Sequence, residues 1–197
     1  DGASATIDSC IMKPYNGNGG GVMALNGDNS SIVGCEITDL QTGTTSHEGT
    51  GLPVTAATVH GSTTSFSNTE IEKTYSGTYG SVNLNGGAPR FEGCFFEGNS
   101  AMGSDGVILA SGGEAEFFNC NFVSNYSGEA GMLHWDATNS TGMYRFTECD
   151  FINNASSDSN YAEIARVLDS SGSMDPKLMF SRCYQSQGGA TLLAAPA

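Results

Sequence analysis

The sequence predicts an all-β chain wound as a single-stranded parallel β-helix, a solenoid of about seven coils with three short strands in each. Three observations carry this. A fixed motif recurs seven times: Ile7-x-x-Cys10-x-Met12, Ile32-x-x-Cys35-x-Ile37, Phe66-x-x-Thr69-x-Ile71, Phe91-x-x-Cys94-x-Phe96, Phe117-x-x-Cys120-x-Phe122, Phe146-x-x-Cys149-x-Phe151 and Phe180-x-x-Cys183. Subtracting successive slot numbers gives steps of 25, 34, 25, 26, 29 and 34 residues. A constant motif with elastic spacing is how stacked coils read, with insertions pushed into loops. Finally, 27 glycines with only 14% charged residues describe turn-rich β structure, and no segment resembles a long amphipathic helix.

The first strand of each coil follows glycine, as in Gly21-Val22-Met23-Ala24-Leu25, Gly80-Ser81-Val82-Asn83-Leu84, Gly106-Val107-Ile108-Leu109-Ala110 and Gly131-Met132-Leu133-His134-Trp135. Many copies close on a turn dipeptide, among them Asn26-Gly27, Asn85-Gly86 and Ser111-Gly112. The second strand ends at the Phe or Ile three residues before the cysteine slot, and the Cys-x-Phe step is the third. Coils about 4.8 Å apart then hydrogen-bond to one another, and seven of them make a rod on the order of 30 Å long. The stretch 161–168 is the one short helix-like segment, and it reads equally as a loop entering a strand.

Strand alternation assigns the faces. Met23, Val82, Ile108 and Leu133 point inward, followed two residues later by Leu25, Leu84, Ala110 and Trp135. The spacing of three between Phe and Cys demands a turn, because a straight strand would place them on opposite faces. Gly34, Asn68, Gly93 and Asn119 occupy the residue before the slot, where a left-handed backbone is needed. Glu148 and Arg182 break that pattern and predict a different turn in the last two coils.

The slots Cys10, Cys35, Thr69, Cys94, Cys120, Cys149 and Cys183 form an inward column in which free cysteine packs as a small hydrophobe. Threonine at one position is compatible with packing and incompatible with paired disulfides. Parallel Cβ vectors in neighbouring coils also resist the S–S torsion, so free thiols are expected. Asn99, Asn125 and Asn154, three residues beyond each motif, are expected to stack as an amide ladder that satisfies turn backbone groups.

A formal charge of −14, with seven Lys plus Arg, argues against nucleic acid as a partner, and no apolar run is long enough for direct membrane insertion. One domain is expected over 1–197. Neither end carries a charged, amphipathic cap, so the stack is expected to continue, or to dock on something, beyond one or both ends.

The runs Phe91-x-x-Cys94-x-Phe96-x-x-Asn99, Phe117-x-x-Cys120-x-Phe122-x-x-Asn125 and Phe146-x-x-Cys149-x-Phe151-x-x-Asn154 resemble the FxxN half of chlamydial polymorphic outer membrane protein repeats. The GGAI half is recognisable in Gly188-Gly189-Ala190-Thr191 and Gly20-Gly21-Val22-Met23 and degraded elsewhere. The resemblance spans most of the chain and is strongest over 80–155. It implies the right-handed parallel β-helix of the pectin-lyase-like superfamily, and a secreted or surface-displayed passenger with adhesive roles. That superfamily hosts lyases, hydrolases, adhesins and structural rods, so the likeness is specific for fold and loose for function.

A β-helix enzyme would need outward carboxylates on neighbouring coils, or calcium with a basic residue. The outward positions of the third strand are Ile11, Glu36, Glu70, Phe95, Asn121, Asp150 and Tyr184. Glu36 and Glu70 are neighbours there and are the weak catalytic candidates, although no basic residue joins them. His47, His60 and His134 have no Cys or His at metal spacing, so neither a metal nor a cofactor is expected. Of the four sequons, Asn139 is the glycosylation candidate, since Asn125 and Asn154 belong to the ladder.

Binding features are two. The insertion over residues 38–53 carries His47 and Glu48, and loops on a rigid scaffold are where recognition tends to live. The outward positions Val22, Ala24, Val107, Leu109 and Met132 form an apolar stripe, to be covered either by another subunit or by the chain's own loops. The expectation is a non-catalytic extracellular or cell-surface protein that binds other subunits, domains or glycans. A polysaccharide-active enzyme is the alternative. Ice binding ranks third, because Thr44, Thr45, Thr63 and Thr64 do not recur at one coil position.

Overall fold

A computed structural model describes residues 4–12, 23–25, 30–38, 57–60, 63–76, 81–101, 106–128, 132–138, 142–157, 164–168 and 177–186. It is a parallel β-helix, and every strand pair in it is parallel. The first sheet stacks Thr6–Asp8, Ser31–Val33, Ser65–Ser67, Arg90–Glu92, Ala115–Phe118, Met143–Thr147 and Lys177–Ser181. The second stacks Ile11–Met12, Glu36–Thr38, Glu70–Glu72, Phe95–Glu97, Asn121–Val123, Asp150–Ile152 and Tyr184–Ser186. The third holds Met23–Leu25, Ala57–His60, Val82–Asn85, Ile108–Ser111, Leu133–Asp136 and Ala165–Leu168. The last of these strands covers 165–168 of the ambiguous stretch 161–168, whose first three residues lie outside the described ones.

The expected three strands per coil become four in the middle of the rod. Tyr75–Ser76, Ser100–Ala101, Tyr126–Ser127 and Ala155–Ser156 pair as a fourth sheet. Among the described residues, four coils are thus complete in all four sheets, within a stack of seven rungs in the first two. The extra strand was missed because two residues carry too little alternation to register as a strand.

Two left-handed corners flank the second sheet. Ser9, Gly34, Asn68, Gly93, Asn119, Glu148 and Arg182 all have φ between 46° and 62° and join the first sheet to the second. Glu148 and Arg182 therefore make the same turn as the glycines, contrary to the expectation from their side chains. From Ser9 to Glu148 the corner amide donates to the next coil whatever residue occupies it: Gly93 N–H to Phe118 O at 2.9 Å and Glu148 N–H to Ser181 O at 2.9 Å. The second corner, at Lys73, Gly98, Ser124 and Asn153, leads from the second sheet into the fourth.

The core is two files of stacked rings. Phe66, Phe91, Phe117, Phe146 and Phe180 follow one another at 4.6, 4.7, 4.6 and 5.1 Å between centroids. Phe96, Phe122 and Phe151 do so at 4.8 and 5.0 Å. Rings of the two files meet at steep angles, as Phe117 and Phe122 do at 64°, which puts ring edges against ring faces. Trp135 faces inward as alternation required, packed on Tyr144 at 4.5 Å with its Nε1–H on Gly112 O.

The apolar stripe is corrected here. Val107 and Met132 are fully buried, because they lie at the bend before the third-sheet strand, where alternation does not yet apply. Their carbonyls accept from Val82 and Ile108 in the coil before. Leu109 does face outward and is half-buried. Its register neighbours Asn83 and His134 are only 9% and 8% exposed, so this face is not an open apolar surface. Val22 lies outside the described residues, and Ala24 is placed only by its register with Thr58.

Candidate functional site

The column of slots is a line of donors. Each buried thiol reaches two carbonyls, one two residues back and one in the previous coil: Cys94 to Glu92 O and Phe66 O, Cys120 to Phe118 O and Phe91 O, Cys149 to Thr147 O and Phe117 O. Thr69 uses the equivalent pair, Ser67 O at 3.2 Å and Ile32 O at 3.4 Å. All six cysteines are free, the four inner ones buried and Cys10 and Cys183 half-buried. Hydrogen bonds with Cys149 and Cys94, together with burial, push the Cys120 thiol up. Burial does the same at Cys183. The same hydrogen bonds with Cys120 draw Cys94 and Cys149 down, so the column alternates in its hold on the proton, and every buried thiol in it is directed at backbone carbonyls inside the rod.

The amide ladder is also internal. Asn125 Oδ1 accepts from Asn99 N–H at 3.1 Å and Asn99 Nδ2 at 3.0 Å, and Asn125 Nδ2 donates to Phe96 O and Asn154 Oδ1 at 2.9 Å each. Asn154 Nδ2 donates to Phe122 O. Thr74 occupies the same slot one coil earlier and donates its hydroxyl to Asn99 Oδ1. With their amide nitrogens committed inside the rod, Asn125 and Asn154 are not glycan acceptors.

Glu36 and Glu70 are brought together as direct register partners in the second sheet, flanked by the outward Ile11 and Phe95. Glu70 is exposed and Glu36 half-buried. His47, Glu48 and Asn139 lie outside the described residues. Among those described, no group of three or more His, Cys, Asp or Glu converges as for a metal, and no helix is long and apolar enough to cross a membrane.

A recess that sequence reasoning missed opens on the first sheet. Arg90, Glu116 and Arg145 are register partners on three successive strands. Glu116 receives both guanidinium groups at 3.5 Å, while Arg90 also meets Glu92 at 3.2 Å. With Pro89, Glu114 and Met143 they line a cavity of about 260 Å³. The two arginines face Glu92, Glu114 and Glu116, so the recess offers hydrogen bonds of both kinds without an excess of positive charge. Its residues come from strand positions 25 or more apart in sequence, and the outward column of the first sheet was the signal that could have found them.

Comparison with family models, curated proteins and solved structures gives no significant match.

Proposed function

We propose that this protein is a non-catalytic extracellular surface or filament β-helix, acting in adhesion or structural assembly, with repeats of the polymorphic outer membrane protein type in the pectin-lyase-like superfamily. The observation that carries the reading is where the chain spends its reactive groups. The motif thiols, the Asn99, Asn125 and Asn154 amides and two files of phenylalanine rings are turned inward into ladders that hold a repetitive rod. Such a rod displays loops and ends at fixed intervals, and its partners are other protein subunits, domains or glycans.

The test sets binding against turnover. The protein is titrated onto immobilised glycans and its own immobilised copies, and in parallel incubated with acidic and neutral polysaccharides while new reducing ends and unsaturated uronates are measured. Saturable binding or self-association without product is expected; steady depolymerisation overturns the reading.

The second reading, a polysaccharide-active lyase or glycoside hydrolase, draws on the register pairing of Glu36 with Glu70. Coils about 4.8 Å apart put such carboxyls near the separation a retaining mechanism uses. Should product form, Glu70→Gln must abolish it for this pair to be the cause.

A further inference from the structure

Phe118 belongs to neither file of inward rings. It ends its first-sheet strand on the outer face, half-buried, with Glu92 and Thr147 as register partners. Alternation puts Glu116 on the same face, two residues or about 6–7 Å back along the strand. The ring therefore extends the Arg90–Glu116–Arg145 recess into a shallow track in the middle of the rod.

The recess is short of partners. Both guanidinium contacts to Glu116 are 3.5 Å long, beyond the roughly 2.7–2.9 Å of a closed charge-assisted hydrogen bond. Arg90 also meets Glu92 at 3.2 Å, and Arg145 turns its other terminal nitrogen to the Met143 sulfur, a weak acceptor. A guanidinium carries five N–H donors, so most of those on the two arginines have no acceptor here. The exposed Glu114 carboxylate, which also lines the recess, has no ion pair among the described residues. Donors and acceptors thus alternate across three coils with space left between them.

We propose that this track binds an uncharged sugar chain, one ring entering the recess and the next lying over Phe118. A hydroxyl both donates and accepts. Set between Glu116 and either arginine, it gives its proton to the carboxylate and takes an N–H from the guanidinium. It closes the gap that the two side chains leave to each other. Pro89 and Met143 form an apolar wall for the C–H face of the same ring, and Phe118 offers the next ring a flat apolar surface. The volume of about 260 Å³ lies just under the roughly 300–1,000 Å³ that takes a drug-sized ligand, so the recess itself admits one ring.

Charge selects against other ligands. Glu92, Glu114 and Glu116 outnumber the two arginines and the whole chain carries −14, so an acidic sugar is repelled. A basic peptide would set its cations against Arg90 and Arg145. Against an uncharged polyol neither repulsion acts.

This inference rests on the adhesive role proposed above and names its ligand class and its place. The test is isothermal titration calorimetry of the 197-residue chain with maltotetraose, cellotetraose, mannotetraose, xylotetraose and N-acetylchitotetraose, and with tetragalacturonate as the acidic probe. At least one neutral probe is expected to bind, with an affinity that salt leaves unchanged. Glu116→Gln keeps the shape, loses the charged acceptor and should weaken that binding about tenfold. Phe118→Ala should weaken it by a similar factor. Glu97→Gln, on the second sheet, is the surface control and should bind as the wild type does. Circular dichroism checks that every variant keeps the fold. No binding of any neutral probe at its solubility limit overturns the proposal, as does binding of tetragalacturonate alone. Binding that both substitutions leave intact also overturns it, while sparing the adhesive reading. A chain that binds no sugar but associates with its own copies loses the site and keeps the assembly reading. Cleavage of a probe whose binding Glu116→Gln weakens keeps the track and removes the non-catalytic reading.

Discussion

At the residue scale, what matters in the slot is a small side chain with one donor. Thr69 meets the same two carbonyls as the cysteines, so Cys94→Thr should change stability by no more than about 1 kcal/mol in urea unfolding. Cys94→Asp, which buries an unpaired charge, should cost on the order of 3–5 kcal/mol. Asn125→Ala strips partners from Asn99, Asn154 and Phe96 O at once. Each orphaned buried group costs roughly 1–3 kcal/mol, so a loss of at least about 3 kcal/mol is expected by the same measurement. The thiols should react in an order set by burial. A native-state titration with a thiol reagent should label Cys10 and Cys183 first and leave Cys35, Cys94, Cys120 and Cys149 for the denatured chain, which should show six. Two or fewer thiols after denaturation without reductant would mean that the column is bridged.

At the scale of the strand and its turn, packing and backbone geometry divide the work. Phe117 is sandwiched between Phe91 and Phe146 at 4.7 and 4.6 Å, with Phe96 and Phe122 edge-on. Phe117→Ala should therefore cost about 3–5 kcal/mol, read from the shift in the denaturation midpoint at constant slope. The Ser111-Gly112 turn that closes the third-sheet strand continues into Gly113, with φ of 61°. A Cβ there would stand 2.7 Å from the Gly86 carbonyl carbon of the previous coil. Backbone cannot yield as a flexible side chain would, so Gly113→Ala should destabilise by roughly 1–3 kcal/mol. Gly112 shares the left-handed φ but has open space at its Cβ, and Gly112→Ala should cost less.

For the whole molecule, a buried phenol gives an alkaline limit. Burial pushes the Tyr144 phenol up. In the unfolded chain it ionises at its ordinary value, about 10. Below that value both states hold the same proton. Above it the unfolded chain sheds a proton that the folded chain retains, so stability falls as pH rises. The column thiols do not act with one sign, because Cys120 and Cys183 are raised while Cys94 and Cys149 are lowered. Tyr144→Phe should therefore remove the part of the fall in urea midpoint that sets in near pH 10; the same midpoint in both proteins up to about pH 11 would contradict this.

Sequence by itself determined the coil stack, the inward column, the amide ladder and the inward Trp135, because each follows from a short-range repeat that any one copy displays. It also placed Glu36 beside Glu70, since equal position in a repeat is equal position in a sheet. Only the tertiary structure decided the rest. The fourth sheet and the left-handed corner at Glu148 are held by coil-to-coil hydrogen bonds, which overrule the local preference of the residues, and Arg182 takes the same corner. Burial of Val107 and Met132 depends on a bend that periodicity cannot see. Arg90, Glu116 and Arg145 share the position before the motif Phe, but their ion pairs and the cavity beside them appear only once the coils are stacked.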